Sequence, residues 1–346
     1  MKELHHTQYC TPENEEIYRQ NKKNSLKKIL QDLNVEPEFI WVGESSRRRV
    51  IFQIDNKNNL GFFKEKTKEL IEIDEYPLAE KSINLLIKPL KNFLKKHQQN
   101  FINQVVLTSY DNGLDIVFRI NRKADLNEEL KFINFAKEHF LNCSFEVKHN
   151  LIPLFFSRKN QIFCGDLKLN LVGDIFLQAT KLGLEHIINF LRKEILAQKN
   201  IKKIADIYAG FGVYSFALSD LKASFSCFEG SQSMVDVIKN NAKNLQLSQK
   251  IHSQCRDLYG DPLTCKELAE FDNIIINPPR NGAEPQIKNI AKSNISSLQY
   301  ISCNPQTFAR DAKNLIDLNY KIINISALDQ FYSTNHLELL ASFVKN

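Results

Sequence analysis

A thiol and a carboxylate set the chemistry this sequence can do. Cys303 closes the stretch Tyr300-Ile301-Ser302-Cys303-Asn304-Pro305, and Glu338 lies 35 residues further on in an otherwise apolar segment. A thiolate is a nucleophile and a carboxylate is a base, so together they read as a covalent catalyst. The bland alternatives are a buried core thiol and a half-exposed strand residue, since Glu338 alternates with Leu337 and Leu339. His336 is expected on the same strand face as Glu338, where it would orient the carboxylate or a bound base.

Further motifs flank the pair. Asp206-Ile207-Tyr208-Ala209-Gly210-Phe211-Gly212 reads as a strand, a Gly-rich turn and a helix start, a place where backbone approaches a ligand closely. Glu229 falls 19 residues after Gly210, at the end of the next strand, where a carboxylate can accept both hydroxyls of a ribose. A nicotinamide dinucleotide would want a third glycine where Ser215 stands. An S-adenosylmethionine pocket wants an acid near the first turn, a ribose carboxylate after the second strand and a polar residue after the third. Asp206, Glu229 and Asp257 supply these. A purely structural turn is the third possibility. Asn277-Pro278-Pro279-Arg280-Asn281-Gly282 ends another apolar strand. Its prolines fix φ twice and remove two N–H donors, which holds Asn277 at the strand's carboxyl edge. Arg280 adds a fork-shaped donor suited to phosphate. Ser45-Ser46-Arg47-Arg48-Arg49 is either a solvated basic turn or a cluster for RNA phosphates.

These residues need a frame. From Lys181 onward, strands and helices alternate, which predicts a doubly wound, mainly parallel α/β sheet. Before it, Val50–Ile54 with Leu60–Phe63 and Val105–Ser109 with Leu114–Ile120 read as hairpins. Ala79–Lys96 and Leu126–Phe140 have helical spacing, with Pro89 expected to kink or split the former. The first part is therefore an α+β domain, expected over residues 1–165, and the α/β domain over 166–346. The weak helical stripe from Glu15 to Leu33 is expected to pack on the first domain.

Composition sets outer limits. The 346 residues suit two domains, and 43% hydrophobic content is too high for disorder. A net charge of +6 permits a polyanionic partner without demanding one. No transmembrane span or secretory leader is expected, and a reducing, cytoplasmic setting fits seven scattered cysteines without a C-x-x-C pair. No metal or iron–sulfur framework is expected, and a monomer is the default.

The combined pattern F-L-Q, D-I-Y-A-G-F-G, N-P-P-R-x-G, Y-I-S-C-N-P and D-Q-F-Y-S-T-N-H-L-E-L-L resembles the RNA (uracil-C5) methyltransferase family, over residues 176–340. The resemblance implies a class I (Rossmann-like) methyltransferase domain preceded by an α+β RNA-binding domain. It implies S-adenosylmethionine as cofactor, held by Gln178, Tyr208, Gly210, Glu229, Asp257 and Asn277. Cys303 would be the nucleophile and Glu338 the base, with Arg47, Arg49, Arg280 and His336 facing RNA. The sequence departs from the family pattern at Ala209, where Cys is usual, and at Thr180, where Asn is usual. Asn277 stands where many members have Asp. The cysteine set that carries an iron–sulfur cluster in several rRNA enzymes and an N-terminal TRAM-type barrel are not recognised. The expected partner is 23S rRNA or tRNA. A nicotinamide-dependent oxidoreductase and a non-catalytic RNA-binding factor are the rival classes.

The implied reaction explains the residue types. C5 of uracil is a poor nucleophile, and a thiolate adding at C6 turns it into an enolate carbon. After methylation C5 still carries its hydrogen, and a base must remove it before the thiolate can leave. The uridine must be unstacked to reach the site, with Tyr208, Phe331 and Tyr332 as candidate stacking partners.

Overall fold

The structure is a computed structural model that describes residues 14–345 apart from 65, 66, 98, 99, 173, 174 and 176. Cys10 and Phe176 of the F-L-Q motif lie outside the described residues.

The chain begins with α1 (Glu15–Ile29), β1 (Glu38–Trp41), β2 (Arg49–Ile54), β3 (Leu60–Phe63), β4 (Leu70–Glu72) and α2 (Lys81–His97). It continues through β5 (Ile102–Tyr110), β6 (Gly113–Ile120), α3 (Leu126–Glu138), β7 (Asn142–Val147), β8 (Asn150–Phe155), β9 (Asn160–Cys164) and β10 (Leu167–Leu171). Next come α4 (Lys181–Leu196), β11 (Lys203–Ile207), α5 (Val213–Ala217), β12 (Ser224–Glu229), α6 (Gln232–Asn244), β13 (Ile251–Cys255) and α7 (Cys265–Leu268). It ends with β14 (Asn273–Ile276), α8 (Glu284–Lys292), β15 (Ser297–Ser302), α9 (Pro305–Ile316), β16 (Tyr320–Asp329) and β17 (Glu338–Lys345).

Two compact units divide the described chain. The first contains Gly43–Ile162 and Asn170–Lys181, the second Asn14–Val42, Phe163–Leu169 and Leu182–Asn346. In the first unit a seven-stranded sheet has the order β4-β3-β2-β5-β6-β7-β8. Its pairs are antiparallel apart from β6 with β7. Both expected hairpins, β2–β3 and β5–β6, are present. Helix α2 runs through Pro89 without being split. A helix-interior proline costs about 3 kcal/mol. Six buried side chains of α2, Ile83, Leu86, Ile87, Leu90, Phe93 and Leu94, outweigh that at about 1.5–3 kcal/mol each.

In the second unit an eight-stranded sheet has the order β1-β16-β17-β15-β14-β11-β12-β13. Its strand pairings are parallel except those of β17, which is antiparallel to both β15 and β16. The central strands β14 and β15 are buried throughout, as sheets covered on both faces require: β14 is Asn-Ile-Ile-Ile and all four residues are buried.

Helix α1 and β1 belong to this second unit rather than to the first. β1 pairs with β16 through Glu38–Ser326 to Trp41–Asp329, and Leu26 and Leu30 are buried in the core beside Leu298, Phe308 and Leu315. An expected boundary at 165 assigns these residues by their place in the chain. Their partners lie almost 300 residues away, a separation that periodicity does not reveal.

Among the described residues no helix is long and apolar enough to cross a membrane.

Candidate active site

Six successive strands of the second sheet each deliver one candidate residue to the same edge. In the order β17, β15, β14, β11, β12, β13 these are Glu338, Cys303, Asn277, Tyr208, Glu229 and Asp257. Five of the strands are parallel, so their carboxyl ends lie together, where open α/β sheets bind ligands. β17 is antiparallel, so its first residue reaches that edge instead of its last.

The β15–β17 ladder pairs Tyr300 with Ala341, Ile301 with Leu340 and Ser302 with Leu339. One step further sets Cys303 opposite Glu338. Cys303 is half-buried. Burial first, and then the negative charge of Glu338, push its thiol up, while the Arg280 guanidinium pulls it down. Glu338 is 3% exposed, and burial raises its carboxyl to about 7 against a partial offset from a Gln330 hydrogen bond. The Gln330 side-chain amide donates that bond at 3.0 Å. The loop after β14 is tied to the Cys303 turn: Asn304 Nδ2 and Thr307 Oγ1 donate to the Arg280 carbonyl at 2.9 and 3.3 Å. Asn304 also caps α9, accepting from the Gln306 N–H, so the Asn-Pro pair both stops the strand and starts the helix.

At the other end of the edge, Glu229 accepts the backbone N–H of Gly210 at 2.9 Å and that of Ser231 at 3.0 Å. Gly210 has φ +57, and a Cβ there would meet nothing within 4 Å, so the turn presents open backbone. Tyr208 is also left-handed, at φ 62, and its hydroxyl is buried without a hydrogen-bond partner among the described residues. An oriented carboxylate, an open glycine turn and an unmatched tyrosine hydroxyl fit a nucleoside with free ribose hydroxyls. Asn277 Nδ2 donates to the Tyr214 hydroxyl at 3.1 Å. Asp257 is exposed and its Oδ1 accepts the Tyr259 N–H at 3.1 Å.

Asp206 does not face this edge. It is fully buried and accepts from Ser215 Oγ at 2.7 Å, and burial raises its carboxyl to about 6. Ser215 thus braces Asp206, a sufficient reason for it to stand where a dinucleotide turn would have glycine. His336 precedes β17 instead of lying on it. It is exposed, with its ring 6.0 Å from that of Phe331, so the expected shared face with Glu338 is not found. The strand begins two residues later because a turn over 331–335 intervenes. Tyr332 is turned toward α1, edge-on to the Tyr18 ring at 5.4 Å. Gln330 was missed by the sequence reading, although it stands next to Asp329 at the head of the D-Q-F-Y motif.

Gln178, Arg47 and Arg49 belong to the first unit. Arg47 bridges to Ala79 and to Thr180. With Arg49, Phe62, Phe63 and Tyr76 it lines a hollow of about 280 Å³. Arg48, between the two, is buried and bound to Asp111 at 2.9 Å. No group of three or more His, Cys, Asp or Glu residues is placed to hold a metal ion among the described residues.

The model of the tRNA (Uracil-5-)-methyltransferase family matches residues 14–344. An uncharacterised RNA methyltransferase of Zymomonas mobilis is 30% identical over 92% of this chain and 78% of its own length. The 23S rRNA (uracil(1939)-C(5))-methyltransferase RlmD of Shewanella woodyi is 26% identical over 97% of this chain and 78% of its own. The crystal structure of Pyrococcus abyssi tRNA (uracil-54, C5)-methyltransferase, with S-adenosyl-L-homocysteine, has the same fold. It superposes with a TM-score of 0.78 at 22% identity, covering 96% of this chain and 84% of that one.

Proposed function

The chain belongs to the tRNA (uracil-5-)-methyltransferase family of S-adenosylmethionine-dependent RNA uracil-C5 methyltransferases, and from that premise we propose that it methylates C5 of one uridine in 23S rRNA through a covalent Cys303–C6 adduct. The observation that supports the mechanism is the β15–β17 ladder, whose last pair, Ser302 with Leu339, leaves Cys303 and Glu338 as the next residues at the edge, with the Glu338 charge acting on the thiol. Asn277 and the RlmD likeness favour rRNA.

The edge divides into two stations. Neighbouring strands are about 4.8 Å apart. Glu229 on β12 therefore stands roughly 14 Å from Cys303 on β15, three strand spacings away. That separation suits a nucleoside at Glu229 with an extended arm reaching toward the thiol. Glu229 would hold the ribose hydroxyls of S-adenosylmethionine, Tyr208 and Gly210 would bound its adenosine, and Asn277 would stand beside its reactive end. Asp257 completes the proposed cofactor set on this edge. When bound, the cofactor supplies an electrophilic methyl group to C5.

The protein supplies the rest. Cys303 adds to C6 as the thiolate, and the C5–C6 π electrons move through C4 onto O4. Arg280, whose charge favours the thiolate, is poised to hold the target's phosphate or the developing oxyanion. Once C5 is methylated, Glu338 takes the remaining C5 proton, the C5–C6 double bond reforms, and the thiolate leaves. A carboxyl held near 7 by burial is a stronger base than an ordinary glutamate, and it is still partly ionised at neutral pH. In the first unit, Arg47 and Arg49 flank aromatic side chains in one hollow, the combination that holds phosphates and unstacked bases. His336 is exposed at the head of β17 and available to flanking RNA.

Two assays test the reading. Purified protein with Cys303→Ala should not methylate uridine, and Glu338→Gln should leave an RNA–protein adduct that survives a denaturing gel. Turnover by the Cys303 variant at the normal rate would remove the covalent mechanism. Mapping the 5-methyluridines lost from total RNA of a deletion strain identifies the substrate, and loss from tRNA alone would overturn the rRNA assignment.

A further inference from the structure

One face of α1 grips the loop that delivers Glu338. Glu15, Tyr18 and Lys22 are spaced three and four residues apart, which lines them along a single face of the helix. The loop between β16 and β17 spans residues 330–337. Lys22 Nζ donates to Asp329 Oδ1 at 2.5 Å, where the loop starts, and to the His336 carbonyl at 2.9 Å, where it ends. Tyr18 donates its hydroxyl to Asp329 Oδ2 at 2.7 Å and accepts the Ser333 N–H at 3.0 Å, at the loop's middle. The Tyr332 hydroxyl donates to Glu15.

These contacts are not surface decoration. Lys22 is 6% exposed and Asp329 is fully buried, so the pair was taken out of water at a cost that only good geometry offsets. A hydrophobic pair would fill that space without fixing where the two loop ends lie. The residue after Asp329 is Gln330, which bonds Glu338, and Glu338 itself stands two residues after His336. Lys22 therefore fixes both chain segments that aim the Glu338 carboxylate.

We propose that Lys22 and Asp329, with Tyr18, are positioning residues for the proton-removal step, acting through Glu338. The inference rests on the reading of Glu338 as the base. Its effect is kinetic and step-specific. Cys303 is anchored from β15 and α9, so adduct formation is kept when the clamp is removed. Proton removal from C5 is slowed, and the adduct accumulates.

The test uses the full chain with target RNA and S-adenosylmethionine. Lys22→Met alone strands the buried Asp329 charge and can unfold the protein, so it is paired with Lys22→Met/Asp329→Asn, which removes both charges. The double variant should melt near the wild type and bind S-adenosylmethionine with unchanged Kd. Its kcat should fall about a hundredfold, the scale of a misplacement near 1 Å, with adduct rising on denaturing gels as in Glu338→Gln. Lys22→Arg, which keeps the charge, should recover part of kcat. Wild-type turnover by the folded double variant, or lost turnover without adduct, would overturn the proposal. Glu338→Gln on the same gel separates the two failures: no adduct there removes the base reading itself, while adduct there and normal turnover in the double variant removes only the clamp.

Discussion

Gln330 places its side-chain amide 3.0 Å from a Glu338 oxygen that is shut away from solvent. Burial pushes that carboxyl up and the amide pulls it back, with a net position of about 7. A base must be ionised to act, so the proposed proton-removal step should quicken as pH rises through about 7. The thiol of Cys303, also pushed up, should keep the overall rate climbing above that. Gln330→Leu removes a hydrogen bond that lowers the carboxyl, so the acidic limb of kcat against pH should move to higher pH. A shift the other way would contradict the assignment of that limb to Glu338.

The same carboxyl should cost stability. Its folded value, about 7, lies above the ordinary 4.5. The protonated form therefore favours folding at pH below the ordinary value, and that contribution is lost as pH rises toward 7. For a fully buried group this difference is worth about 3 kcal/mol. Glu338→Gln, inactive in turnover, should melt several degrees above the wild type at pH 8 and lose that advantage at pH 4.5. Scanning calorimetry at the two pH values decides it; equal melting temperatures at pH 8 would mean the carboxylate is not strained.

Ser215 should matter for folding more than for the cofactor. Its hydroxyl donates to Asp206 deep in the sheet, and Ser215→Ala leaves that acceptor short of a partner. A loss of about 1–3 kcal/mol in urea unfolding is expected, with S-adenosylmethionine affinity little changed once the protein is folded. A large affinity loss without a stability loss would reassign Ser215 to the cofactor pocket.

Glu229→Ala is the converse case. The carboxylate is half-buried at the strand end and oriented by two backbone N–H groups. Hydrogen bonds to a charged group are worth about 1.5–3 kcal/mol, so calorimetric titration should show S-adenosylmethionine binding weakened roughly tenfold to a hundredfold. Unchanged binding would sink the ribose role.

Arg47 and Arg49 are separable from Arg48. Replacing Arg47 or Arg49 with Ala should lower RNA affinity and reduce the salt slope of log K by about one per residue. Arg48→Ala instead strips the buried partner from Asp111, and should show first as a lower melting temperature. Filter binding across a salt series, with melting curves, distinguishes these outcomes.

Part of the edge was legible in the sequence because the strands before Asn277 and Tyr208 are mostly apolar. Ile274-Ile275-Ile276 before Asn277 and Ile204 to Ile207 before Tyr208 mark where strands stop, and parallel strands stop on one side. What stayed hidden depends on pairing across the chain. β1 and α1 look like part of the preceding α+β segment, and only their contacts with β16 and α9 place them in the second unit. His336 was misplaced for a local reason: alternation through Leu337 and Glu338 extends the strand on paper, while the turn at 331–335 starts it later. The tolerance of α2 for Pro89 was hidden too, since it comes from the packing of the whole helix face.

The antiparallel β17 has a further consequence for how the molecule is made. It lies between β15 and β16, so the last segment of the sheet is an interior strand, and β16 in turn pairs with β1 from the opposite end of the sequence. Contacts of such long sequence separation are slow to form. The parallel strands β11, β12 and β13 pair over shorter sequence separations and can assemble while the slot for β17 is still open. Glu338 joins the edge only when β17 pairs with β15 and β16, so in the proposed mechanism the base takes its place after the strands that carry Glu229 and Tyr208.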